Sequence, residues 1–208
     1  MIKLEVSDGA AVTKDAKFEL TSPLMKNLPS TNDVNATIKV ADGSIFHPGS
    51  ILKIILPESI CDSTGNLSSE DAQIRLQIGP NNVFHDHCNV IIDLSERSNE
   101  ELMSNDSLLI INEGNVFECR CYVKCGSISS FNFFATCSRV HAGQVKSDCS
   151  ISAMANYSGK VLDRQAIYRM GQNIFTRDYM IGGKRNKKDV EVYVKSMKNT
   201  LSKHHSLV

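Results

Sequence analysis

Apolar and polar residues alternate with period two in segment after segment of this 208-residue chain. Such alternation sends one set of side chains into a core and the other into solvent, and it demands strands. Ile2, Leu4 and Val6 alternate with Lys3, Glu5 and Ser7, and Ala36, Ile38 and Val40 with Thr37 and Lys39. The segments 73–78, 89–94, 107–112, 116–125, 130–137 and 149–155 follow, and 51–56 is apolar on both faces apart from Lys53. Turn-forming clusters separate them: SDG, NLPSTND, ADG, HPG, DSTGN, GPNN and NEGN. About nine or ten short strands joined by turns predict a mainly β fold, an antiparallel β-sandwich or jelly-roll-like barrel with a C-terminal helical appendage. No internal repeat at a fixed period is read. SERSNEELM carries an S-x-x-E capping box at Ser98 and Glu101, which predicts a short helical interruption.

The pattern changes near residue 160. GKVLDRQAIYRMGQNIF places Val161, Leu162, Ile167, Met170, Ile174 and Phe175 near one side of a helix. Beyond the basic loop GGKRNKK, Asp189 is the expected N-cap of a final helix whose stripe is Val190, Tyr193, Val194, Met197 and Leu201. The expected division is therefore a β-sandwich domain, 1–158, and a basic helical appendage, 159–208, packed on it.

Charge follows the same boundary. Residues 1–159 hold 12 Lys+Arg against 19 Asp+Glu, whereas residues 160–208 hold 11 against 4, so a neutral total conceals an acidic body and a basic tail. A segregated basic end implies an anionic partner. The expected contact residues for nucleic acid or a neighbouring subunit are Arg164, Arg169, Lys184, Arg185, Lys187, Lys188, Lys195 and Lys198.

Cysteine and histidine concentrate in VFHDHCNV and FECRCYVKC. Read as one strand, 116–125 puts Phe117, Cys119, Cys121, Val123 and Cys125 on the core face, where free cysteine behaves as a small hydrophobe. No metal is expected. The nearest candidates are His85 and His87, an H-x-H pair, and Cys121 with Cys125, the one cysteine spacing that suits zinc. Seven cysteines, an odd number, and the lack of a leader pattern favour free thiols and an intracellular, cytoplasmic setting. No apolar run is long enough to span a membrane.

Nucleotide-binding, zinc-protease and nucleophile-elbow motifs are absent from the sequence, so no cofactor and no enzymatic activity are expected. The reading that follows is a non-enzymatic, self-associating structural protein of viral character, virion-associated as a capsid, matrix or movement-type component. In it the basic C-terminal region contacts subunits or nucleic acid, RNA or DNA. A monomeric nucleic-acid-binding module and a thiol- or metal-dependent enzyme are the alternatives.

Overall fold

A computed structural model describes residues 2–22, 36–60, 73–104, 106–178 and 187–204. The strands are parallel, and they wind as successive coils around one core. This corrects the expectation of an antiparallel sandwich or jelly roll. The first coil contains β1 (Ile2–Val6), β2 (Ala11–Val12) and β3 (Lys17–Thr21), and the second β4 (Ala36–Val40), β5 (Ile45–Phe46) and β6 (Ile51–Ile55). β7 (Ile74–Ile78), β8 (Val83–Phe84) and β9 (Asn89–Asp93) form the third. After the one-turn helix α1 (Asn99–Leu102), β10 (Leu108–Ile111), β11 (Val116–Phe117) and β12 (Tyr122–Cys125) form the fourth. Later coils are shorter: β13 (Phe133–Phe134) and β14 (Arg139–His141), then β15 (Ser150–Ile151) and β16 (Asn156–Ser158). β17 (Gln165–Met170), the hairpin partner β18 (Asn173–Asp178) and helix α2 (Lys187–His204) complete the described chain.

Three sheets result, each built from one strand per coil. The first runs β1-β4-β7-β10 and continues as single bridges through Ile128, Val145 and Val161. The second runs from β2 through β5, β8, β11, β13, β15 and β17 to β18, and the third runs β3-β6-β9-β12-β14-β16. Among the described residues all strand pairings are parallel except β17 with β18. The coil passes residue 158, because Val145 bridges Val161 and Ile151 pairs with Ile167.

An internal repeat is present, contrary to the sequence expectation. Val116, Phe133 and Ser150 are register partners at 17-residue spacing, whereas Ile2, Ala36 and Ile74 are partners at roughly double that, because longer segments separate the early coils. A fixed-period search misses a repeat interrupted in this way.

The same corner chemistry recurs in each coil. Before the second sheet, a residue at positive φ (Gly43, Asn81, Gly114, Phe131, Asp148 or Arg164) turns the chain, and the next residue points inward. Those inward residues form a ladder. Asn82 N–H donates to Ser44 Oγ (3.2 Å), Asn115 N–H to Asn82 Oδ1 (2.9 Å), Asn132 N–H to Asn115 Oδ1 (3.0 Å) and Cys149 N–H to Asn132 Oδ1 (2.9 Å). Each asparagine carbonyl thus satisfies the backbone of the next coil, which is what a buried polar column requires. Inside the second sheet the rings of Phe46, Phe84, Phe117 and Phe134 stack at centroid distances of 4.0, 4.6 and 4.9 Å. A phenylalanine repeated once per coil lands on its own copy about 4.8 Å away, the parallel strand spacing.

The expected helix over 160–175 is the β17–β18 hairpin. Met170 pairs with Asn173, and Gly171 supplies the positive φ of the turn. Among the described residues no helix is long and apolar enough to cross a membrane.

Candidate functional site

Two surfaces collect chemistry-bearing side chains. The larger is a groove of about 1000 Å³ where the third sheet turns toward the first. Lys124 on β12, His141 on β14 and Ser158 on β16 are register partners, so they project outward side by side on three successive rungs. The chain then turns at Gly126, Gly143 and Gly159, which give the groove a floor without side chains. Space enforces part of this: a Cβ on Gly126 would lie 2.9 Å from the Gly143 carbonyl oxygen, which already accepts the Gly126 N–H at 2.7 Å.

The segment after β9 makes the opposite wall and contributes Ser95, Glu96, Arg97 and Glu101. It is held by α1, whose N-cap Ser98 accepts the Glu101 N–H at 3.3 Å, and by an Arg97–Glu101 contact of 3.4 Å. Asp93 ties wall to sheet through Lys124, with Nζ to Oδ2 at 3.0 Å. Burial alone would raise the Asp93 pKa, but hydrogen bonds from Ser95 and Lys124 outweigh it and hold the carboxyl below its ordinary value. Beside the groove the Tyr122 ring stacks on His141 at 5.3 Å. Cys125 also lines the groove, yet burial pushes its thiol up to about 12, so it is no nucleophile at neutral pH. The groove offers ammonium and imidazole donors, carboxylate acceptors and open backbone.

The second surface is the seat of α2. The outward residues of the second sheet, Ala11, Ile45, Val83 and Val116, are buried under Val194 and Leu201, with Tyr193, Met197, Phe131 and Phe133 at the margin. His85 belongs here. Its Nε2 lies 2.7 Å from Tyr193 Oη and its ring stacks on His47 at 4.9 Å. Burial lowers the His85 pKa, partly opposed by Glu118 and Asp86, so the imidazole is neutral at pH 7.

The metal candidates do not meet. His85 faces α2, and His87 is exposed at a positive-φ corner. Cys121 and Cys125 are buried inside the coil, Cys121 against Cys88. Among the described residues no group of three or more His, Cys, Asp or Glu is placed to hold a metal. The reading of 116–125 as one strand is corrected as well: Arg120 at φ 57° breaks it into β11 and β12, which lie in different sheets, and Cys119 is only partly buried.

Three of the basic candidates have described side chains. Arg164 is exposed at a corner preceding β17. Arg169, on β17, donates from Nε to Gly171 O at 2.7 Å, and Lys195 is exposed on α2. Lys184 and Arg185 lie outside the described residues, as do the side chains of Lys187, Lys188 and Lys198. Sequence reasoning missed Lys124, His141 and the glycine corner. Their signal is the 17-residue offset shared by Lys124 and His141 and by Gly126 and Gly143.

No protein-family model and no curated protein matches the chain. Among solved structures, a UDP-N-acetylglucosamine acyltransferase from Campylobacter jejuni is similar at 9% identity over 93% of this chain and 83% of that one, with a TM-score of 0.38. LpxA from Acinetobacter baumannii is similar at 12% identity over 84% and 73%, with a TM-score of 0.36. The UDP-N-acetylglucosamine acyltransferase from Francisella novicida gives 12%, 85%, 70% and 0.29. Scores at this level transfer neither substrate nor catalytic residues. The non-enzymatic, self-associating viral reading stood on a sandwich that parallel coils replace. That reading falls with the sandwich, and neither its expectation of a non-enzyme nor the nucleic-acid-binding module is carried forward.

Proposed function

We propose that the chain is a parallel β-helix whose groove binds a polar, hydroxyl-bearing ligand with an anionic group, of the sugar-phosphate or uronic-acid class. The observation that carries this reading is the row Lys124, His141, Ser158 above the glycine floor. Three ligand-facing side chains on adjacent rungs repeat at about 4.8 Å, the spacing of parallel strands, so a single ligand can be met at several points. A volume of about 1000 Å³ accommodates one or two such rings. Lys124 and Lys160 supply positive charge, Asp93 and Glu96 accept from hydroxyls, and the bare corner admits a ring face.

The test is thermal stabilisation of the full chain by a panel of sugar phosphates, uronic acids and neutral sugars. A ligand present at 100 times its Kd stabilises by about 2.7 kcal/mol, which a melting curve resolves. Anionic sugars are expected to raise Tm, and Lys124→Ala or His141→Ala to reduce their affinity about tenfold or more, the loss of one charged hydrogen bond. A panel without effect, or binding indifferent to both substitutions, contradicts the reading.

A further inference from the structure

The two ends of the coil differ. At the C-terminal end β18 closes the second sheet, and the last strand of the third sheet is the polar Asn156–Ser158. At the N-terminal end, β1 pairs with β4 alone and β3 with β6 alone, so among the described residues their outer edges are open. Those edges are apolar on the core side. Leu4 and Phe18 are partly exposed, while their partners one rung inside, Ile38 and Leu52, are 0% exposed. An open, apolar strand edge is a template for pairing, and stacked-coil proteins require a cap there.

We infer that a second copy of this chain covers that end, as a two-fold dimer in which β1 of each copy pairs antiparallel with β3 of the other. The strand sequences supply the argument. A two-fold axis through β2 interchanges the two five-residue edges. Core-facing residues must then meet core-facing residues, which leaves registers that differ by two residues. One register places Leu4 opposite Phe18 and Ile2 opposite Leu20, and on the outer face sets Lys3 opposite Glu19 and Glu5 opposite Lys17. A shift of two in either direction opposes Glu5 to Glu19 or Lys3 to Lys17, a like-charge pair that destabilises. Symmetry repeats every pair, so the matched register contains four ion pairs and the neighbouring registers contain repulsions. Closure about a two-fold axis uses the same edges on both copies and so limits the assembly to a dimer. The contact lies apart from the groove, while α2, whose Val194 and Leu201 cover Ala11 of β2, sits beside it.

Analytical ultracentrifugation of the full chain across a hundredfold concentration range tests the inference, with Lys3→Glu and the double variant Lys3→Glu/Glu19→Lys alongside. The wild type should be a dimer in equilibrium with monomer. Lys3→Glu should weaken association at least about tenfold by opposing Glu19 twice, and the double variant should restore it to within about threefold. Restoration also shows that neither substitution harms the fold. A monomer at every concentration, meaning that the chain caps its own end, overturns the inference. So does a larger oligomer, a dimer indifferent to Lys3→Glu, or a double variant that stays dissociated.

Discussion

The two corners that flank the second sheet do the same geometrical job with different chemistry. Before the sheet, the inward residues Ser44, Asn82, Asn115 and Asn132 are linked coil to coil by hydrogen bonds. After it, the inward residues are Ser50, Cys88, Cys121 and Ser138, all buried. There the contacts are weaker and interrupted: Ser50 Oγ donates to His47 O at 2.7 Å within its own turn, the Cys88 and Cys121 thiols bond to one another, and Ser138 Oγ has no hydrogen-bond partner. The first corner is specified by directional bonds that fix the rung register, and the second by small volume and packing. A polar column is costly when broken and a packed one yields gradually, so the corners should respond unequally to substitution.

The largest effect is expected at Asn115. Its carbonyl accepts from Asn132 N–H and Nδ2–H, both at 3.0 Å, and its amide donates to Asn82 Oδ1 and to Asn112 O. Asn115→Ala leaves several buried groups unpaired and should cost about 3–5 kcal/mol in denaturant unfolding. At the second corner Cys121→Ser substitutes a hydroxyl for a thiol in an apolar setting and should cost about 1–3 kcal/mol. Equal losses at the two positions would erase the distinction. The turn residues give a smaller effect of opposite sign: Arg120 sits at φ 57°, so Arg120→Gly should stabilise by about 1 kcal/mol, read as a higher Tm.

The smallest effect concerns the docking of α2 beside that second corner. His85 titrates below its ordinary value of 6.5, chiefly because it is buried. A group whose folded pKa is lowered in this way is protonated more readily in the undocked state. Docking is therefore strongest above pH 6.5 and weakens as pH falls below it. The protection factors of the α2 amides, with exchange corrected for its intrinsic pH dependence, should fall between pH 7 and 5, while the Phe84–Phe117 interior, whose rings carry no titratable group, keeps its protection. His85→Leu should flatten the pH dependence.

Much of the strand content was legible from alternation: Ile2–Val6 and Ile74–Ile78 are strands with the inward faces that the pattern implies, and Ile51–Ile55 is a strand that turns only Leu52 and Ile54 fully inward, although its sequence is apolar on both faces. Their direction was not. Antiparallel and parallel strands share period two, and only the partner's identity distinguishes them. The corners hid the repeat further. Arg120, Cys137 and Met154 adopt positive φ without being glycine, so no turn signal marks the break between sheets. The α2 stripe was visible as Tyr193, Val194, Met197 and Leu201, but its seat was not, since His85 lies 108 residues from Tyr193. The groove was hidden for the same reason. Lys124 and His141 become neighbours only after their segments are aligned rung on rung.

The most direct test of the groove is a 15N and 13C NMR titration of the full chain with the anionic sugar that raises Tm most. The account predicts saturable shifts at Lys124, His141, Ser158 and the Gly126 and Gly143 amides, with the His85 and Tyr193 signals unmoved. Shifts centred on α2 or the β17–β18 hairpin, or none at saturating ligand, would contradict it.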